Sequence, residues 1–302
     1  MRQEMKKKKV FISLGLVVGV VLLSVVAYFF YIYKSVTDTV QEMHEPFSPS
    51  RVVDLESQEP LSFLIAGVDS RGDTHAGRSD TIIVMTVNPN ERSIKMLSIP
   101  RDTRTEIIGR GTLDKINHAY AFGGVQMTAD TVANFLDIPI DHYISINMEG
   151  FKGVVDALGG VKVDNPFAFD YGSHTFEEGE LFLTGEEALA YSRMRKEDPR
   201  GDFGRNDRQR EIVEAVIQEA ANIGTVTKAG GILGAVGESV RTDMTLDEMW
   251  KLQANYRDAR HNVEQLEIKG NNATINGIYY LQVPDDELAR VRSELKGHLG
   301  LE

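Results

Sequence analysis

At 302 residues and 42% hydrophobic content, the chain is long enough to bury a core of its own. A formal charge of −12 argues against a nucleic-acid partner, and the absence of cysteine excludes disulfides, thiolate metal sites and a cysteine nucleophile. From Val10 to Tyr33 no residue is charged, and 24 residues at about 1.5 Å each are enough to cross a bilayer. Lys6, Lys7, Lys8 and Lys9 precede this run and Asp38, Glu42 and Glu45 follow it. The positive-inside rule therefore places residues 1–9 in the cytoplasm and everything after a 10–33 transmembrane anchor outside. A cleaved signal peptide is the competing reading; the length of the run and the belt Tyr28, Phe29, Phe30, Tyr31 and Tyr33 favour an uncleaved anchor. Arg2, Glu4 and the four lysines carry +4 of the −12, so the exterior part carries −16.

Residues 34–60 are polar, are punctuated by Pro46, Pro49 and Pro60, and read as an extracytoplasmic linker, with room for one short helix. Leu61–Val68, Thr81–Val87 and Ser93–Ile99 are short apolar runs that read as buried strands, the last two joined through Asn88-Pro89-Asn90 as an antiparallel hairpin of a mixed sheet. Asn117–Leu136 has helical spacing broken at Gly123-Gly124, which predicts two helices meeting at a kink. A strand at His142–Met148, a helix at Glu149–Leu158 closed by Gly159-Gly160 and an extended piece from Val161 follow. Pro166–Gly179 reads as an exposed excursion, and a helix surrounds Glu186–Tyr191. Asn206 can cap a helix whose stripe is Ile212, Val213, Val216, Ile217 and Ala220, and Thr245 with Glu248 makes a capping box for a helix to about Arg260. Strands at Val263–Ile268 and Gly277–Val283 precede a polar C-terminal helix. With no second linker, residues 61–302 read as one α/β domain.

Two stretches carry chemistry. Between the first two strands lies a loop from Asp69 to Asp80, holding Arg71 and Arg78 as well as the two carboxylates at its ends. A turn back into the sheet brings Asp69 and Asp80 together, and a carboxylate pair suits Mg²⁺, or Mn²⁺ as readily, which completes its shell from substrate phosphates. Strand-end capping with Arg–Asp pairs explains the same loop without a ligand. The second stretch, Tyr191–Arg210, crowds Arg193, Arg195, Lys196, Arg200, Arg205, Arg208 and Arg210 into an acidic protein and leads into a helix N-terminus. Such a cluster suits a bound polyanion, the bland alternative being a salt-bridged loop. Arg101, after Pro100, reaches the same sheet edge, so arginines from three segments converge with two acids, as phosphoryl transfer requires. No P-loop, His-Glu-x-x-His helix or Gly-x-Ser-x-Gly elbow is present; His75, His118, His142 and His174 lack ligand spacing, and Trp250 reads as core. Asn272-Ala273-Thr274 fits a glycosylation acceptor with nothing else to support it.

The segments GVDSR, RSDT, SIPRD, KINHAYAFGG, GGVKVD, LTGEEALAYSRMR and GDFGRNDRQR, in that order over roughly Leu61 to Ala220, resemble the LytR-CpsA-Psr family of bacterial envelope phosphotransferases. The resemblance implies a three-layer α/β/α sandwich with a central mixed sheet and an apolar lipid tunnel, whose lining the Ile212 and Val216 helix face would supply. It implies a cell-membrane enzyme, single-pass with its catalytic domain outside. Its reaction moves a wall teichoic acid class glycopolymer from a polyprenyl-pyrophosphate carrier to a peptidoglycan hydroxyl. By position, Asp69, Asp80 and Arg101 would be catalytic, with Asp69 and Asp80 near Mg²⁺. Arg71, Arg78, Arg101, Arg193, Arg195, Arg205 and Gln209 would clamp the pyrophosphate. A polyprenyl-pyrophosphate hydrolase and a non-catalytic wall-polymer receptor use the same clamp and remain the alternatives. Direct DNA binding is discounted, because nine cytoplasmic residues hold no reading head.

Overall fold

The computed structural model describes residues 31–301, apart from residues 32, 70–76, 221–233, 235–236 and 238. In chain order the first strands are β1 (Leu61–Val68), β2 (Ser79–Asn88), β3 (Ser93–Ser98), β4 (Arg104–Ile107) and β5 (Thr112–Lys115), followed by helix α1 (His118–Leu136). Then come β6 (His142–Asn147), α2 (Met148–Leu158), β7 (Val161–Asn165), β8 (Phe169–Tyr171), β9 (His174–Phe176), β10 (Gly179–Leu183), α3 (Gly185–Arg193) and α4 (Asp202–Ala220). The chain closes with β11 (Val240–Thr242), α5 (Leu246–Tyr256), a 3₁₀ turn (Arg257–His261), β12 (Val263–Leu266), β13 (Asn271–Ile275), β14 (Ile278–Gln282) and α6 (Asp285–Leu299).

Six strands form the central sheet in the order β11-β6-β1-β2-β3-β12. It is mixed: β1 pairs parallel with β6 and antiparallel with β2, β2 and β3 form the expected hairpin, and β12 joins β3 in parallel. Because side chains alternate across a strand, β1 and β2 feed two cores. Leu64, Ala66, Val68, Ile82 and Val84 face a cluster closed by α1 and α6, while Leu61, Phe63, Ile83, Met85 and Val87 face one closed by α5, the 3₁₀ turn and Val213 and Ile217 of α4. Helices thus cover both faces, and strands buried on both sides read as the unbroken apolar runs seen in the sequence. Gly123 and Gly124 are non-helical inside α1, the predicted kink, and Gly159 caps α2 in the left-handed conformation with φ 90°.

Several expectations are corrected. Residues 34–60 hold the short helix allowed for there, at residues 33–43, but they are not a free tether: Val36, Val40 and Met43 are buried, and Leu55 enters the core. The arginine Arg51 donates to both carboxylate oxygens of buried Asp141 at 2.7 and 2.8 Å, so this segment is stitched to the sheet by an ion pair its prolines concealed. Pro166–Gly179 is mostly exposed, as expected, but it is anchored by two buried aromatics. Its β8–β9 hairpin inserts Phe169 and Phe176 against Tyr191 in a third core, with ring centroids 5.7 and 5.5 Å from the tyrosine. Alternation over strands of three residues is too short to register as a pattern. Helix α4 begins at Asp202 rather than at an Asn206 cap, Trp250 is half-buried rather than core, and β13 was missed before the Asn276-Gly277 turn. The predicted anchor 10–33 lies outside the described residues except for Tyr31 and Tyr33; no described helix is long and apolar enough to cross a membrane.

Two histidines pin the sheet. His298 of α6 bonds the Thr86 and Ser93 hydroxyls at 2.7 and 2.8 Å. His142 Nδ1 lies 2.7 Å from Asp243 Oδ2, while the other oxygen of Asp243 accepts the Tyr143 N–H at 2.8 Å. Burial opposes protonation of His142, but its hydrogen bond to Asp243 and that carboxylate's charge outweigh burial and raise its pKa. A raised pKa gives stability that is full below the unfolded value, about 6.5, and is lost as pH rises through the folded one. His142→Gln is therefore expected to lose about 1 kcal/mol or more at pH 6 and progressively less toward pH 9, measured by urea unfolding of both proteins across that range.

Candidate active site

Asp69 stands just beyond the C-terminal end of β1 and Asp80 in the first residues of β2, and the strand pairing returns them to the same sheet edge, where the Asp69 N–H donates to the Arg78 carbonyl at 3.1 Å. Both carboxylates line two adjoining cavities, so they form the wall between them. The first cavity is a polar cleft of about 630 Å³ that also holds Arg78, Arg101, Asp102, Lys115, Asn117 and His118. Arg101 Nη1 lies 2.9 Å from Asp80 Oδ2, the Asn117 amide donates to Asp80 Oδ1 at 3.4 Å, and Lys115 donates to Asp102 at 2.6 Å. Burial works against the Arg101 cation, yet Asp80, Asp102 and Asp202 together raise its pKa, so it is charged at every working pH.

The second cavity, about 420 Å³, runs inward between the sheet and α4. Arg193, Arg205 and Gln209 sit at its charged end, and Ile65, Ile83, Leu189 and Val213 continue its wall. Gly67 opens that end: a Cβ there would stand 2.9 Å from the Thr81 Cβ. The inner rows of β1 and β2 run Gly67 opposite Thr81, Ile65 opposite Ile83 and Phe63 opposite Met85, and α4 presents Arg205, Gln209, Val213 and Ile217 at every fourth residue beside them. Sheet and helix therefore turn from polar to apolar in the same direction. Beyond Ile65 and Ile83 lies a third cavity of about 390 Å³, lined by Phe63, Met85, Val87, Ile217, Met244 and Met249 among others, whose walls are almost wholly apolar.

Most of the expected site residues converge. Asp69, Asp80, Arg78 and Arg101 share the cleft, and Arg193, Arg205 and Gln209 share the inner cavity with the two acids. Arg195 is exposed and its Nε sits 2.8 Å from Asp202, which also lies 3.2 Å from Arg205. Burial, and then the positive charges of Arg101 and Arg195, depress the Arg205 pKa against the pull of Asp202. Its side chain is only 13% exposed and its Nε has no hydrogen-bond partner, a buried donor that an anion would satisfy. Arg71 lies outside the described residues.

The rest of the arginine run is structural. Arg208, 3% exposed, donates to Asp198 and to the Met194 carbonyl, each at 2.6 Å, and its guanidinium lies over the Phe169 ring at 5.4 Å. Gly204 is required there, since a Cβ would reach 1.9 Å from the Asp198 carboxylate. Arg200 and Arg210 both pair with Asp207, and Arg210 adds Gln265. Ile212 and Val216 join the third core beside Tyr191, so Val213 and Ile217, one position on and about 100° round the helix, take the lining role expected of them. Lys115, Asn117 and His118 carry no assigned role in the sequence, although they stand together in KINHAY; their signal is the polar trio that spans the end of β5 and the start of α1.

Two carboxylates at this wall fit a divalent ion that draws its remaining ligands from substrate oxygens, and no cluster of three or more potential protein ligands occurs among the described residues. The family model described as "LytR_cpsA_psr family" matches residues 28–297. A protein of Halalkalibacterium halodurans named polyisoprenyl-teichoic acid–peptidoglycan teichoic acid transferase TagU is 65% identical over 302 residues, covering 97% of this chain and 99% of that protein. The crystal structure of Bacillus subtilis TagU is similar at 50% identity with a TM-score of 0.66, over 80% of this chain and 97% of the other. A structure of TagT bound to LI-WTA is similar at 32% identity with a TM-score of 0.70, over 83% and 94%.

The two classes of arginine are separable by stability. Arg208→Ala leaves the Asp198 carboxylate buried without its partner and is expected to cost about 3–5 kcal/mol in urea unfolding. Arg205→Ala removes a cation that its surroundings disfavour and is expected to change stability by less than about 1 kcal/mol.

Proposed function

We propose, for a chain that belongs to the LytR-CpsA-Psr family, the transfer of a teichoic-acid-class glycopolymer from a polyprenyl-pyrophosphate carrier to a hydroxyl of peptidoglycan. The observation that carries this reading is the single wall, Asp69 and Asp80, shared by a charged cleft and a cavity that becomes apolar along the sheet. A pyrophosphate on a long hydrocarbon needs that juxtaposition: cations for the phosphates, and apolar walls for the chain within a few ångströms of them. Arg193, Arg205 and Gln209 stand where the two requirements meet, and the Phe63, Met85, Ile217 and Met249 cavity lies in line for the next isoprene units. Methionines suit a flexible, branched chain because their side chains adapt to irregular surfaces.

In the reaction the acceptor oxygen bonds to the glycan-bearing phosphorus, the bond from that phosphorus to the bridging oxygen breaks, and the electron pair leaves with the polyprenyl phosphate. The hydroxyl proton passes to a carboxylate of the wall, Asp69 or Asp80. Arg101 is held by Asp80 at 2.9 Å and needs no reorganisation to face charge developing on the phosphoryl oxygens, and Arg205 contributes the donor left without a partner. Asp69 and Asp80 would hold Mg²⁺, or Mn²⁺, which when bound supplies further positive charge to the phosphates. The uncharged run from Val10 to Tyr33 anchors the enzyme in the bacterial cell membrane with the catalytic domain outside, where carrier lipid and peptidoglycan meet.

The test uses the full chain in detergent with a labelled polyprenyl-pyrophosphate glycan, a peptidoglycan oligomer and Mg²⁺. Label is expected on the oligomer; Arg101→Ala is expected to reduce kcat/KM by about 10²–10³. Chelation should slow the reaction and added Mg²⁺ or Mn²⁺ restore it. Label appearing only as free sugar phosphate would replace the transferase with a hydrolase, and donor bound without turnover would make the protein a receptor.

A further inference from the structure

The outer rim of the polar cleft carries features that donor binding does not use. Tyr279, in the β13–β14 hairpin, is 44% exposed, and Phe122, at the kink of α1, is 42% exposed. The hairpin is fastened to the cleft floor: the Leu281 N–H donates to the Asp102 carbonyl at 2.9 Å, and Thr103 bridges to Leu281. The Tyr279 hydroxyl donates to Asn272 across the hairpin at 2.9 Å, which fixes the ring's orientation. The Lys115 ammonium, itself in the cleft, stands 5.8 Å from the Tyr279 ring centroid. Burial, and then the charges of Asp102 and Asp202, make this phenol harder to ionise, which places it within reach of the cleft's charges. On the other flank Arg110 lies over the Phe122 ring at 4.0 Å, and His118, which lines the cleft, meets that ring edge-on at 6.0 Å.

We infer that this rim is the acceptor subsite, with Tyr279 the platform on which a hexosamine ring of the peptidoglycan strand stacks. The inference rests on the transferase reading above. Displacement at phosphorus brings the attacking and leaving oxygens roughly into line. The leaving polyprenyl phosphate occupies the inner cavity, so the attacking hydroxyl enters from the other side of the Asp69 and Asp80 wall, which is the polar cleft. Strand-like glycans need more than a slot for one hydroxyl. The apolar C–H face of a pyranose packs on the electron-rich face of an aromatic ring, and a rigid, hydrogen-bonded tyrosine gives that contact at small entropic cost. Peptidoglycan also carries carboxylates on its lactyl-linked peptides, and the Arg110 cation beside the Phe122 ring complements them, Lys115 being already paired with Asp102. Arg104, over Tyr280 at 5.8 Å, extends the same positive border.

The full chain in detergent, with labelled lipid-linked donor and a peptidoglycan oligosaccharide, tests this directly. Tyr279→Ala is expected to raise the acceptor KM about tenfold with kcat nearly unchanged, while the donor Kd and the melting temperature stay at wild-type values. Tyr279→Phe keeps the stacking face and is expected to retain the wild-type KM. An unchanged acceptor KM in Tyr279→Ala, or a weakened donor Kd in its place, would overturn the assignment while leaving the transferase intact. Calorimetric titration of the oligosaccharide without donor separates the two readings from the other side. Binding that is lost in Tyr279→Ala, from a wild-type protein that transfers nothing, would retain the subsite and refute the transferase.

Discussion

The arrangement depends on one buried ion pair. Arg208 and Asp198 are 3% and 4% exposed, and a charge so deeply placed is tolerated only with its partner and its hydrogen bonds in position. Pairing the two terminal nitrogens of Arg208 with Asp198 and the Met194 carbonyl locks the azimuth of α4 and ties the loop before it to the end of α3. Once that azimuth is set, Arg205 and Gln209 point into the inner cavity with Val213 and Ile217 following on the same row. The requirement for glycine at position 204 is part of the same lock, because any larger residue would displace the Asp198 carboxylate.

A crowded arginine segment therefore serves two purposes that chain order does not separate. Arg193 and Arg205 line a cavity, and Arg205 shares its one carboxylate, Asp202, with Arg195, a poor arrangement for a folded protein on its own and a good one for an anionic ligand. Arg200, Arg208 and Arg210 are paired with Asp207, Asp198, Glu267 and Gln265, although the Nε of Arg208 keeps no partner, and these pairs stabilise the helix that carries the others. On the sheet side the same economy holds. The strand pair that returns Asp80 to Asp69 also lays out the alternating apolar rows beneath them, so charged wall and apolar path come from one hairpin register.

Much of this was legible in the chain. The β2–β3 hairpin, the kink at Gly123-Gly124, the Gly159 cap and the Thr245–Glu248 capping box each rest on interactions within a few residues, and each is where local chemistry puts it. Asp69, Asp80 and Arg101 were identifiable because strand ends gather at a sheet edge. The anchoring of segment 34–60 and of the β8–β9 hairpin was not legible because the partners are remote: Arg51 finds Asp141 ninety residues away, and Phe169 and Phe176 find Tyr191.

The sequence by itself determined most strands and helices, the two acids at one edge and the crowding of cations near them, since residue type and short-range spacing suffice for these. It also carried the LytR-CpsA-Psr motifs. Only the tertiary structure decided which arginines line the cavities and which lie buried against structural carboxylates. One position along a helix is about 100° of rotation, and packing chooses among those faces where composition is indifferent to them. For the same reason Val213 and Ile217, and not Ile212 and Val216, line the apolar path, and Tyr279 stands beside Lys115, a cleft residue far earlier in the chain.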